Sequence, residues 1–218
     1  TLFLPQEDLD IRNRQALDKY LTQKVDYCIN CAAYTNVDKA EDQLSLSQEI
    51  NAESVKYIAE VCKKKEIKLI HISTDFVFDG QKSTPYIEED IVNPLGSYGK
   101  TKLQGELYIQ QLLEEYYILR TSWLYSEYEN NFFKTMLKLG KERESLGVVF
   151  DQVGTPTYAK DLAEIILRIV SKKEELEYGI YHYSNEGVAS WYDFAKAIFE
   201  EMKYPISLKP ILTEEYPT

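Results

Sequence analysis

The 218 residues carry 25 Lys and Arg against 36 Asp and Glu, a formal net charge of −11, with 44% hydrophobic and 28% charged residues. That balance permits one or two domains with a sizeable core, and so acidic a chain without a basic stripe excludes nucleic acid and anionic membrane as partners. No apolar run approaches the roughly 20 residues of a membrane helix, three cysteines cannot make a disulfide framework, and two histidines offer no zinc spacing, so no catalytic metal is expected, with a cation at an oligomer contact left open.

Strand-like runs near 25–31, 67–72, 116–121 and 178–183 alternate with helical patterns. In the first run Cys28 and Cys31 form a Cys-x-x-Cys without a second pair, which reads as buried free thiols. Ile50, Val55, Ile58, Val61 and Cys62 fall on one face of a helix over 47–64, and Leu103, Leu107 and Leu112 mark another over 98–115. Beyond about 124 the elements shorten. Phe132 to Leu139 reads as a helix, Val148 to Phe150 as an extended run, and Asp151 to Pro156 as turn chemistry. An apolar helix over Tyr158 to Val170 follows, and Ser190 caps a last helix over Trp191 to Met202. Alternating strands and helices imply parallel crossovers, an α/β, Rossmann-like doubly wound sheet. The shift from long to short elements puts an approximate boundary between 1–123 and 124–218.

The chemistry concentrates in two places. Tyr98-Gly-Lys-Thr-Lys102 sets a phenol and an ammonium one helical turn apart, with Ser97 as the expected helix cap. An ammonium beside a phenol favours phenolate and lowers its pKa, giving a proton donor or acceptor suited to a carbonyl or carbinol. An exposed Tyr packed along a Lys stem would leave the same pattern. Upstream, Lys68-Leu-Ile-His-Ile-Ser-Thr-Asp75 runs from an apolar strand into Ser73, Thr74 and Asp75, where a hydroxyl can hydrogen-bond a substrate oxygen. Ligands of such sheets bind outside the strand carboxyl ends. That rule puts Ala32-Ala33-Tyr34-Thr35, whose small residues admit a flat cofactor, on the same rim as Ser73-Thr74-Asp75, with Tyr98 close by.

These motifs resemble the extended short-chain dehydrogenases/reductases, and among them the dTDP-4-dehydrorhamnose reductase family. The resemblance spans the chain and implies that 1–123 is an N-terminally incomplete dinucleotide-binding domain and 124–218 mainly a smaller, interleaved substrate-binding lobe that returns to the main sheet. It is carried by Asn30-Cys-Ala-Ala-Tyr-Thr-Asn-Val-Asp-Lys-Ala-Glu41, Ser73-Thr-Asp-Phe-Val-Phe-Asp-Gly80, Tyr98-Gly-Lys-Thr-Lys102, Leu119-Arg-Thr-Ser-Trp123, Asp151-Gln-Val-Gly-Thr-Pro156 and Pro210-Ile-Leu-Thr-Glu-Glu-Tyr-Pro217. It implies reduction of the C4 keto group of dTDP-4-dehydro-L-rhamnose to dTDP-L-rhamnose in the cytoplasm, with NADPH, or NADH, as reductant. Tyr98 would then protonate the sugar C4 oxygen, while Lys102 lowers the phenol pKa and holds the nicotinamide ribose. Thr74 would hydrogen-bond the carbonyl oxygen and Asp75 line the sugar site. Ala32, Ala33, Tyr34 and Thr35 would border the cofactor, with Asp10 and Ile11 on its adenine side. Trp123 would be the sugar-facing aromatic; a core Trp after a buried strand is the other reading.

Two departures from the family stand out. It opens with a glycine-rich turn that holds the cofactor pyrophosphate; no Gly-x-x-Gly-x-x-Gly occurs here, so the chain reads as a fragment or as the ordered part of a longer molecule. Phe76 stands where many relatives have Tyr, which either removes a hydroxyl contact or leaves a ring that packs without one. Asp38, Lys39 and Glu41 match the family pattern and read as a solvated helix entry or an oligomer contact; a homodimer is left open. The alternative functions are a catalytically silent binding or regulatory subunit of the same fold and a nucleotide-sugar epimerase or dehydratase.

Overall fold

Short apolar strand-forming runs and helical segments alternate along this chain, and a computed structural model describes them over residues 2–22, 24–172 and 176–216. Thr1 and the Pro217 end of the Pro210–Pro217 block lie outside the described residues. In chain order the first elements are α1 (Arg14–Tyr20), β1 (Tyr27–Asn30), α2 (Lys39–Asp42), α3 (Leu44–Gln48), a π turn (Glu49–Glu53) and α4 (Ser54–Lys65). Next come β2 (Lys68–Thr74), a 3-10 turn (Asp75–Val77), α5 (Ser97–Leu112), β3 (Tyr116–Thr121) and β4 (Leu124–Tyr125). α6 (Phe132–Glu142), β5 (Ser145–Val149), β6 (Val153–Gly154), β7 (Thr157–Tyr158) and α7 (Ala159–Val170) follow. The last are β8 (Gly179–His182), β9 (Ala189–Ser190), α8 (Trp191–Glu201) and β10 (Ser207–Ile211).

The chain divides into two compact units. The first, Thr1–Arg120 with Lys172–His182, holds a four-stranded sheet in the order β1-β2-β3-β8, with β1/β2 and β3/β8 parallel. Its core joins Leu17, Val55, Ile58, Val61, Cys62, Leu69, Ile109 and Ile118, so the apolar face read over 47–64 is the buried one. That helix is not uniform. It runs as α3, the π turn and α4, and the extra residue of the wider turn re-aims Asn51 inward.

α5 departs further from its pattern. Its buried residues are Gly99, Thr101, Lys102, Gly105, Glu106 and Ile109, while Leu107 is 39% exposed. An amphipathic reading fails here because this helix turns polar site residues inward, and its glycines let it approach neighbouring backbone. A Cβ on Gly105 would collide with the Asn51 carbonyl oxygen of the π turn. Cys31 also departs: it is exposed, because β1 ends at Asn30 and the chain leaves the sheet there. Cys62 is buried.

The second unit, Thr121–Ser171 with Tyr183–Thr218, has three small pairings: β4/β7 parallel, β5/β10 parallel and β6/β9 antiparallel. Met136, Val148, Ala195, Ile198 and Phe199 form its core, flanked by Phe132, Phe133, Trp191 and Phe194. Ser190 caps α8 as expected, in a reciprocal capping box with Asp193. No helix among the described residues is long and apolar enough to cross a membrane.

Candidate functional site

The buried strand β2 ends on two hydroxyls and a carboxyl group. The Thr74 hydroxyl accepts from the Phe76 amide at 3.2 Å and donates to Asp75 Oδ1 at 3.1 Å, which starts the 3-10 turn and fixes both side chains at the strand's carboxyl end. α5 begins beside this turn. A Cβ on Gly99 would strike the Phe76 carbonyl oxygen, so glycine is required for the helix to enter this close. The Phe76 ring meets Tyr98 edge-on, with centroids 5.6 Å apart and planes at 78°.

The helix start differs from expectation. Ser97 is the first helical residue, following Gly96, and is not the cap. The cap is the Glu41 carboxylate of α2, which accepts from the Ser97 amide at 2.6 Å and the Ser97 hydroxyl at 2.7 Å. A carboxylate facing the free amides and positive end of a helix is a favourable charge arrangement. Glu41 therefore has a structural task that the readings of a solvated entry or an oligomer contact did not name. It anchors the helix that carries Tyr98 and Lys102.

Thr74, Asp75 and Tyr98 act on one another electrostatically. Burial pushes the Tyr98 phenol up to about 12; the Thr74 hydroxyl works against this and the Asp75 charge adds to it. Burial raises the Asp75 carboxyl to about 6, opposed by hydrogen bonds from Thr74 and from backbone amides. The expectation that Lys102 lowers the phenol pKa is not met. Lys102 is 2% exposed and donates to the Ile72 carbonyl at 2.7 Å, and the groups that shift Tyr98 are Thr74 and Asp75 with burial, not Lys102. Burial brings Lys102 itself down to about 8, with Glu106 and Cys31 pulling the other way.

On the neighbouring rim, Ala32 and Thr35 are exposed and Ala33 and Tyr34 half-buried after the end of β1. Asn51 of the π turn clamps this backbone: its Oδ1 accepts from the Tyr34 amide at 2.8 Å and its Nδ2 donates to the Tyr34 carbonyl at 3.0 Å. Held in this way, a run of methyl-sized side chains offers open backbone to a flat ring, which fits a nicotinamide cofactor. Asp10 and Ile11 do not join the group around Tyr98 among the described residues. The Asp10 carboxylate is held by Arg12 Nη2 at 2.6 Å, and Ile11 packs against the core of the first unit. Trp123 belongs to the second unit, where it stacks on Trp191 at 3.4 Å and takes a left-handed φ of 46°. A bulky residue in that region stores strain, as residues at binding sites do.

Sequence reasoning gave no site role to Asn51, His71, Glu106 and Arg120, and gave Glu41 no chemistry. Glu106 and Arg120 form a buried ion pair, with side chains 0% and 4% exposed and Arg120 Nη2 2.7 Å from Glu106 Oε2. One signal was present: Glu106 lies four residues after Lys102, on the same helix face.

Residues 2–218 match the model of the RmlD substrate binding domain. The chain belongs to the RmlD substrate-binding domain family. The dTDP-4-dehydrorhamnose reductase of Aggregatibacter actinomycetemcomitans is 44% identical over 228 residues, covering 100% of this chain and 77% of that protein. A solved dTDP-4-dehydrorhamnose reductase from Clostridium acetobutylicum matches with a TM-score of 0.92 at 46% identity, over 97% of this chain and 75% of that one. The Bacillus anthracis dTDP-4-dehydrorhamnose reductase, solved in complex with NADP, matches with a TM-score of 0.92 at 41% identity, over 98% of this chain and 76% of that one. The family resemblance and the Rossmann-like fold read from the sequence both hold for this RmlD-family chain.

Proposed function

We propose that this chain carries out the NADPH-dependent reduction of the C4 keto group of dTDP-4-dehydro-L-rhamnose to dTDP-L-rhamnose, with NADH as the alternative reductant. The observation that carries the reading is the gathering of Thr74, Asp75 and Tyr98 where β2 meets α5, on a chain whose relatives are reductases of this name. A bound dihydronicotinamide supplies the hydride. Tyr98 holds the proton: a phenol kept near 12 stays protonated at neutral pH and is a donor to the more basic oxygen that forms at the carbonyl. Thr74 offers its hydroxyl to the same oxygen, and Asp75 orients the sugar through its hydroxyls. Ala32, Ala33, Tyr34, Thr35, Lys102, Asp10 and Ile11 would hold the cofactor. Residues 1–123 form the dinucleotide-binding domain in this reading and 124–218 mainly the substrate-binding lobe, apart from the return of β8 to the main sheet, with Trp123 as the sugar's aromatic contact. Nucleotide-sugar is the partner, the cytoplasm the place, and assembly as a homodimer is read out by sedimentation.

The test is loss of NADPH absorbance on addition of the keto-sugar nucleotide. Tyr98→Phe should reduce turnover by at least about a hundredfold, the usual scale for a general acid. Near-normal turnover in that variant would remove Tyr98 from the mechanism. Absence of turnover in the parent chain, with the keto-sugar still bound, favours the silent-subunit alternative.

A further inference from the structure

His71 lies at the centre of β2 with no exposed surface, between Asn30 on β1 and Lys102 on α5. Its Nδ1 is 3.0 Å from Asn30 Nδ2, and its Nε2 is 3.4 Å from Lys102 Nζ. These contacts have a polarity that can be worked out from a fixed end. The Ala32 backbone amide can only donate, and it meets Asn30 Oδ1 at 3.2 Å. The Asn30 side chain is thereby oriented, and its NH2 group faces His71 Nδ1. That nitrogen must accept, so the ring's proton sits on Nε2. Burial, with the Lys102 charge second, holds the ring neutral, far below its ordinary range.

Nε2–H then points at Lys102. An ammonium there sets donor against donor, and the separation of 3.4 Å is long for a hydrogen bond. An uncharged amine resolves the conflict. Its lone pair accepts from Nε2–H while one of its own N–H bonds still serves the Ile72 carbonyl at 2.7 Å. The other charged or titratable groups facing Lys102 are Glu106 on its own helix and Cys31 beyond β1.

We propose that His71 is a positioning residue acting through Lys102: locked as the Nε2–H tautomer by Asn30 and the Ala32 amide, it favours the uncharged amine of Lys102 and so sets the pH above which the site loses its cation. The inference rests on the reading of Lys102 as part of the reductase site. It adds that the basic limb of activity is governed from β2, by a residue that touches neither substrate nor cofactor. Burial already lowers the proton affinity of Lys102 to about 8, and the His71 contact acts in addition to that.

Two measurements on the full chain test it. The chain has only two histidines, so the ring nitrogens of His71 are separable from those of His182 in a long-range proton–nitrogen correlation spectrum. The expected result is a bare Nδ1, a protonated Nε2, and a titration step at Nε2 that vanishes in Lys102→Met. A protonated Nδ1, or an Nε2 step unchanged in Lys102→Met, overturns the proposal whether or not the chain is a reductase. In the NADPH assay, His71→Met should move the basic limb of the kcat profile up by about one pH unit, the tenfold worth of one hydrogen bond. His71→Gln, which keeps an N–H donor, should hold that limb near its original position. If both variants lose activity evenly at every pH, His71 is a packing residue only and the proposal falls. A parent chain without turnover would defeat the reductase reading, and the spectrum would still decide the tautomer and its coupling to Lys102.

Discussion

Arg120→Met should be among the most damaging substitutions in the first unit that leave the proposed cofactor and sugar residues untouched. Arg120 Nε lies 3.1 and 3.2 Å from the two Glu106 oxygens, and Nη2 lies 2.7 Å from Oε2. The Ser73 hydroxyl donates to the same carboxylate, and the guanidinium sits 5.2 Å from the Phe78 ring centroid. With both side chains almost wholly out of solvent, removing the cation strands a carboxylate that water cannot reach. Breaking one side of such a pair costs about 3–5 kcal/mol, a large part of the roughly 5–15 kcal/mol that holds a domain together. Removing both charges is different. Arg120→Met with Glu106→Leu leaves an apolar filling of similar volume, which is often neutral or better; here about 1–3 kcal/mol is lost because Ser73 keeps no acceptor. The assay is urea unfolding followed by circular dichroism, run as a double-mutant cycle. The expected pattern is two costly single variants and a double variant more stable than either. A cost for Arg120→Met below about 1 kcal/mol, or a double variant as unstable as the summed singles, would refute the account of this pair as a coupled buried charge.

Other outcomes follow from the site. The Asp75 carboxyl is raised from 3.8 to about 6 in the fold, so the native state binds its proton more tightly and stability falls as pH rises between those values. Asp75→Asn should therefore stabilise the chain above pH 6, by on the order of 2–3 kcal/mol at most, with the gain gone below about pH 4. Thermal melts across that range check it, and a gain that persists in acid would contradict it. The Glu41 carboxyl is held below its ordinary 4.5 by the Ser97 amide and hydroxyl, so its contribution is present above that pH and lost below it. Glu41→Gln should melt earlier than the parent at neutral pH and converge with it in acid; a constant difference would mean that charge is not what caps α5. Gly99→Ala must move α5 off the Phe76 carbonyl, costing about 1–3 kcal/mol as overpacking does. Because Tyr98 moves with it, turnover should fall by more than NADPH affinity, and an equal fall in both would argue against a local shift.

Much of this was legible along the chain because the signals are local. The alternation of apolar strands and helices, the Ser190 cap and the one-turn spacing of Tyr98 and Lys102 depend on near neighbours, and the structure keeps all three. The burial of Val55, Ile58, Val61 and Cys62 follows from helical periodicity alone. Other features were hidden by their range. Glu41 caps a helix that starts 56 residues later, and no local pattern marks a carboxylate as a distant cap.

The amino-acid sequence by itself determined the fold class, the family, and which residues hold hydroxyl, phenol and ammonium at the carboxyl end of β2 and the start of α5. The tertiary structure alone decided what those groups are chemically. Spacing placed a cation one turn from Tyr98 and argued for a lowered phenol pKa; packing instead turned Lys102 to the Ile72 carbonyl and His71, and desolvation raised Tyr98. The reason is that periodicity depends on the order of side chains along one element, whereas a proton's affinity depends on every dipole and every missing water around it. Those surroundings arrive from β1, β2 and α5 together, and exist only once the elements have packed.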